Sequence, residues 1–325
     1  MSPVRPAVPH GGDLAAATAR YGAPAGGWVD LSTGINPFPY PVDAADLAAL
    51  ARLPDGAQLA RLRDAAADAY GHADRDGIVA APGTQALIQW LPYLRPPGNV
   101  AVISPTYGEH AAAWAAAGHD VAAVPDLAAA RGADVAVVTS PNNPDGRIAC
   151  TDALRTLAAA GTHLVVDGAF ADLLPQAPPS VSGAVMLRSF GKFYGLPGLR
   201  LGFALTDAET AAALTEALGP WAVSSLAAEV GARALADRDW QAATRTRLKD
   251  AASRLDALLA GAGFDIVGGT DLYRLVAHDD APDILARLGA AGIYVRDFPD
   301  SPHRLRFGLP GADAAWARLE RTLAS

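Results

Sequence analysis

Lysine is almost missing from this chain: two occur in 325 residues, Lys192 and Lys249. Cysteine is reduced to Cys150 alone. That excludes an intrachain disulfide and leaves no basis for a cysteine metal site, so no metal is expected. Positive charge is in deficit, with a formal net charge of −8 and a pI of about 5.3. This balance speaks against a general nucleic-acid binder, although a local arginine cluster can still bind an anion. No stretch of ~20 consecutive strongly apolar residues occurs, so no membrane span is expected. Met1–Gly12 has no continuous apolar run, so no signal peptide is expected and the expected location is cytoplasmic. What is abundant is alanine, the main contributor to a hydrophobic content of 51%, ample for a core.

The periodicity predicts an α/β protein. Residues 1–40 are rich in Gly and Pro and read as an extended N-terminal arm. Asp43–Gly71 reads as helical, interrupted near Leu53-Pro54-Asp55-Gly56. Short apolar runs then alternate with alanine-rich helical stretches: 78–80, 100–103, 121–124, 135–138, 164–166 and 185–187, with 200–205 as one more strand. Near-continuous Val/Ile runs suit strands buried on both faces of a mainly parallel sheet. The expected domains are the arm over 1–40, a large domain over 41–205, and connecting helices with a smaller C-terminal α+β domain over 206–325. In the last, 272–277, 294–296 and 305–307 read as strands, and 285–289 and 314–323 as helices.

Polar residues at the strand ends carry the candidate chemistry, because ligands of open α/β sheets bind beyond the carboxyl ends of the strands. Strand 78–80 runs into Pro82-Gly83-Thr84-Gln85. There Gly83 admits close backbone approach, and the N–H groups of Thr84 and Gln85 suit an anion. Strand 100–103 ends near Tyr107, either a ring that stacks on a flat cofactor or an ordinary tyrosine. Strand 135–138 ends in Asn142-Asn143-Pro144-Asp145-Gly146, where the asparagines either form a turn or, at Asn143, donate to a ligand. Strand 164–166 ends in Asp167, a carboxylate that is costly to bury without a cationic partner.

Lys192 lies in Ser189-Phe190-Gly191-Lys192-Phe193-Tyr194-Gly195-Leu196-Pro197-Gly198-Leu199-Arg200. Arginine cannot replace an amine that must act as a nucleophile. The segment reads as a site where Lys192 binds a carbonyl cofactor covalently, as pyridoxal phosphate is bound, with Ser189 and Arg200 as phosphate donors. A Ser-x-x-Lys nucleophile of the β-lactamase kind would also need Lys-Thr-Gly. Lys249 is followed by Asp-Ala, so that motif is absent.

Asn143, Asp167 and Lys192 at three successive strand ends, followed by Arg200, resemble the fold-type I pyridoxal phosphate enzymes, the aspartate aminotransferase superfamily. The resemblance implies Lys192 as the cofactor-binding amine, Asp167 on the pyridine nitrogen, Asn143 on the ring oxygen and Tyr107 on the ring face. It further implies Gly83, Thr84, Gln85, Ser189 and Arg200 at the phosphate, and Arg306 on the substrate carboxylate. His10-Gly11-Gly12-Asp13 and Leu31-Ser32-Thr33-Gly34-Ile35-Asn36-Pro37 are similar to the threonine-phosphate decarboxylase family of cobalamin biosynthesis. That implies decarboxylation of L-threonine O-3-phosphate by a homodimer, with His10 and Asn36 near the substrate. The alternative is an aminotransferase of a phosphorylated substrate such as histidinol phosphate. Two residues depart from the wider superfamily: Phe170 stands where many aminotransferases place a tyrosine, and Leu53 where histidinol-phosphate aminotransferases usually show one.

Overall fold

The computed structural model describes residues 10–176 and 181–324. Among the described residues twelve strands are formed: β1 (Val29–Leu31), β2 (Ile78–Ala81), β3 (Asn99–Ile103), β4 (Asp120–Val124), β5 (Val135–Thr139), β6 (His163–Asp167), β7 (Ala184–Ser189), β8 (Gly202–Leu205), β9 (Asp265–Thr270), β10 (Tyr273–Ala277), β11 (Ile293–Asp297) and β12 (Arg304–Gly308). Contacts divide the chain into a larger unit, Phe38–Arg247, and a smaller one made of residues up to Pro37 with those from Leu248 onward.

The larger unit is built on a seven-stranded sheet in the order β2-β8-β7-β6-β5-β3-β4. The pairings from β7 to β4 are parallel, whereas β8 runs antiparallel to both β7 and β2. The Val/Ile runs account for this arrangement. Every residue of β5 and β7 is buried, as a parallel strand covered on both faces requires. The edge strand β4 is exposed along most of its length. Val100, Val102, Val135, Val137, Val165 and Val185 form the middle of the core, with Trp114, Leu87 and Leu214 from the covering helices. The register aligns Thr139 with Asp167 and Asp167 with Leu187. Polar residues that are scattered along the sequence thus meet at one carboxyl edge.

The smaller unit carries a five-stranded sheet, β1-β11-β12-β10-β9, in which only β1–β11 is parallel. Here the expectation of an extended arm needs correction. Leu14–Tyr21 is a helix capped by Asp13, whose side chain accepts from Ala16 N, and Val29–Leu31 is a strand. The helices Ala208–Leu218 and Ser225–Ala236 group with the larger unit, and Arg238–Gly261 continues from one unit into the other. No helix among the described residues is long and apolar enough to cross a membrane.

Candidate active site

Lys192 sits on the loop that follows β7. The loop is closed at its base by Phe190 N donating to Leu201 O at 3.1 Å. A single turn at Pro197–Leu199 brings the chain to Arg200, whose φ of 52° lies in the left-handed region. That conformation is unusual for a residue with a side chain and indicates that the surroundings impose it. Arg200 Nη1 donates to Pro197 O at 3.0 Å, which folds the guanidinium back over its own loop. There it meets Gly83, where a Cβ would stand 2.4 Å from Arg200 Nη2. Gly83 has a φ of +81°, so two independent constraints call for glycine at this point.

Around this contact lies a cavity of about 180 Å³. Gly83, Thr84, Gln85, Tyr107, Asn143, Asp167, Ser189, Lys192 and Arg200 all line it, together with Thr139 and Phe170. All nine residues expected from the larger unit therefore share one cavity. Lys192 is half-buried, with Nζ 5.7 Å from the centre of the Phe170 ring. An apolar ring thus stands beside the amine. The two asparagines divide their labour. Asn142 is buried and ties two loops together, donating from Nδ2 to Pro105 O and Asp145 Oδ1 and accepting from Thr106 Oγ1. Asn143 faces the cavity.

Asp167 is 4% exposed and accepts from Ala169 N at 3.0 Å. His110 Nε2 stands 2.9 Å from its other oxygen, and this histidine is itself 1% exposed. A carboxylate only accepts, so against an ionised Asp167 the His110 Nε2 must carry the proton. Sequence reasoning missed His110. The available signal was its spacing, three residues after Tyr107 in the first turn of the helix Glu109–Ala116.

In the smaller unit the two N-terminal motifs and Arg306 converge on Ser32. Gly12 N donates to Ser32 Oγ at 2.7 Å, and Arg306 Nη2 donates to Ser32 O at 2.5 Å. A Cβ on Gly11 would lie 2.3 Å from Ser32 O, so this close packing also depends on glycine. Asn36 is 2% exposed, and His10 is exposed. Arg306 is pushed down to about 10, first by burial, with the neighbouring Arg296 cation acting in the same direction. Arg296 and Arg306 are register partners across β11 and β12.

This fold and this cavity define a class. The chain belongs to the aminotransferase class I and II family, which it matches over residues 27–319. It is 41% identical to a threonine-phosphate decarboxylase of Pseudomonas aeruginosa, covering 97% of this chain and 96% of the relative. It is 42% identical to a threonine-phosphate decarboxylase of a Sinorhizobium species, covering 98% of each. Among solved structures, the histidinol-phosphate aminotransferase of Sinorhizobium meliloti in complex with pyridoxal-5'-phosphate shares the fold. It superposes with a TM-score of 0.83 at 21% identity, covering 99% of this chain and 97% of that one.

The residues present fit pyridoxal phosphate. The glycine at position 83 leaves room only for the Arg200 guanidinium, and Thr84 and Ser189 add hydroxyls to the same cavity. Asp167 is a buried carboxylate, suited to a protonated ring nitrogen. Lys192 is the one lysine of the cavity.

Proposed function

We propose that the chain is a pyridoxal phosphate-dependent carboxy-lyase that converts L-threonine O-3-phosphate to (R)-1-amino-2-propanol O-2-phosphate and carbon dioxide, within cobalamin biosynthesis. The observation that carries this reading is the near full-length similarity to two threonine-phosphate decarboxylases, on a chain whose cavity retains Lys192, Asp167 and Arg200. When bound, the cofactor supplies a carbonyl that takes up the substrate amine and a ring that accepts the electron pair of the breaking bond.

In this reading Lys192 would hold the cofactor through its amine, and the same Nζ, lining the cavity, would be the group placed to give a proton to the substrate Cα. Asp167 keeps a proton on the pyridine nitrogen and is oriented by His110. Asn143 donates to the ring oxygen, and Tyr107 covers one ring face. Arg200, Thr84, Ser189 and the backbone around Gly83 and Gln85 anchor the cofactor phosphate. Arg306 binds the substrate carboxylate, since a planar guanidinium suits a carboxylate bidentately. Which bond at the substrate Cα breaks would be decided by how the bound substrate is oriented. His10 serves the substrate phosphate, and Asn36 is a further substrate-binding residue. Arg296, paired in register with Arg306, is a second cation for the same dianion.

A homodimer accompanies this reading. Leu47, Leu50 and Leu53 are each more than half exposed on one short segment, and such surface suits a partner copy. Light scattering on active protein tests it. The deciding assay gives purified protein O-phospho-threonine and follows carbon dioxide and amine together. Conversion of 2-oxoglutarate to glutamate without release of carbon dioxide supports the aminotransferase instead.

A further inference from the structure

Tyr107 reaches the cavity from a segment that also carries Glu109, and the two are joined through Gln85. Tyr107 Oη donates to Gln85 Oε1 at 3.1 Å, and Gln85 Nε2 donates to Glu109 Oε2 at 3.0 Å. Gln89 Nε2 approaches the same Glu109 oxygen at 3.4 Å. Gln85 and Gln89 are four residues apart on the helix Thr84–Trp90, so both amides project from one face toward Glu109. Glu109 opens the next helix, where a negative charge in the first turn is favoured.

A side-chain amide has a donor end and an acceptor end, and a carboxylate accepts only. Glu109 therefore fixes which way Gln85 points: its NH₂ toward Glu109, its carbonyl toward Tyr107. The reverse orientation would set a carbonyl against a carboxylate and leave the phenol facing an NH₂ group. With the carbonyl turned to it, the phenol must donate. Burial, and next the charge of Glu109, push Tyr107 up to about 12, so the donating proton is retained throughout the neutral range. The orientation of the Gln85 amide is thereby fixed, and its backbone N–H at the helix start remains suited to a cofactor phosphate.

We propose that Glu109 is a positioning residue for the cofactor: through Gln85 it fixes the polarity of the Tyr107 hydrogen bond and with it the plane of the ring that covers pyridoxal phosphate. This rests on the placement of Tyr107 at the cofactor ring. The test compares reconstituted parent protein with Tyr107→Ala, Tyr107→Phe, Glu109→Ala, Glu109→Gln and the double variant Glu109→Ala/Tyr107→Phe. It reads pyridoxal phosphate affinity and the visible circular dichroism of the bound cofactor. Tyr107→Phe and Glu109→Ala should each weaken affinity by about two- to tenfold, the range of one net hydrogen bond, and diminish the dichroic band. The double variant should be no worse than the weaker single, because both remove the same chain of bonds. Glu109→Gln, which keeps the shape and lets the Gln85 amide turn over, should diminish the band as well, and it carries the test should Glu109→Ala fail to fold. An unchanged affinity and band in the Glu109 variants, with Tyr107→Ala altered, overturns the proposal alone; so does full additivity in the double variant. An unchanged Tyr107→Ala overturns the placement of Tyr107 itself.

Discussion

Gly83 has no room for a methyl group, and the atom in the way belongs to the guanidinium proposed to anchor the cofactor phosphate. Gly83→Ala strains a backbone whose φ is +81° and also pushes the end of the Arg200 side chain aside. The expected result is a loss of pyridoxal phosphate affinity of ~10-fold or more with little change in overall folding, measured by absorbance titration of the apoprotein. Asp167→Asn keeps the shape and removes the charge. A loss of turnover of ~10²-fold or more is expected from a preorganised charge of this kind, measured as carbon dioxide release. At this scale the sequence was informative wherever a residue type was chemically irreplaceable. An amine among glycines and a carboxylate ending an apolar run both stand out. Glu109 and His110 were hard to read because they open one alanine-rich helix and look like ordinary first-turn residues, the spacing of His110 from Tyr107 being the one faint signal. Only the folded chain shows that one meets Asp167 and the other meets Gln85.

The elements that the sequence revealed are those with a strong local period. The Val/Ile strands of the larger unit and the amphipathic helix Asp313–Leu323 lie where patterning predicts them, and the helix expected at 285–289 extends over Ala281–Ala290. β1 and β9 escaped for opposite reasons. β1 is three residues long and is defined by pairing with β11, far away in sequence, which no local window contains. β9 is a largely exposed strand ending in Gly268-Gly269-Thr270, and two consecutive glycines read as a break. Helix packing offers a prediction of its own. In the helix Ser225–Ala236, a Cβ on Gly231 would stand 2.5 Å from Leu201 Cδ2 and 2.9 Å from Leu62 Cδ1. Leu201 also lines the cavity. Gly231→Val should therefore overpack the contact and cost about 1–3 kcal/mol, read as a lower Tm, with weaker cofactor binding as a secondary effect.

Over the whole molecule, a half-buried histidine and a buried carboxylate oppose one another in acid. His163 is held down at about 4 by burial and then by Arg95. Between pH 6.5 and 4 the unfolded chain takes up a proton at this residue that the native protein refuses, so stability falls on acidification. Asp172 is pushed up to about 6 by burial, against the pull of Arg188 and Arg245. Below pH 6 the native protein takes up this proton before the unfolded chain does, so stability rises on acidification until the ordinary carboxylate value near 3.8. The two slopes partly cancel between pH 6 and 4. Asp172→Asn should make the denaturation midpoint fall more steeply over that window, and His163→Gln should make it fall less. Urea midpoints at pH 4, 5, 6 and 7 check both, and identical slopes in parent and variants would contradict the pair.

Lysine scarcity gives this protein a built-in gauge. Lys249 is exposed on the helix Arg238–Gly261, whereas Lys192 is half-buried in the cavity. An amine-directed mass label should therefore react with Lys249 whatever the state of the site, and with Lys192 only while its nitrogen is not bonded elsewhere. The ratio of the two labelled peptides becomes a fractional occupancy with its own internal standard, independent of protein concentration and of turnover. Few enzymes of this size could be read in that way, because a typical surface would bury the signal under dozens of competing amines.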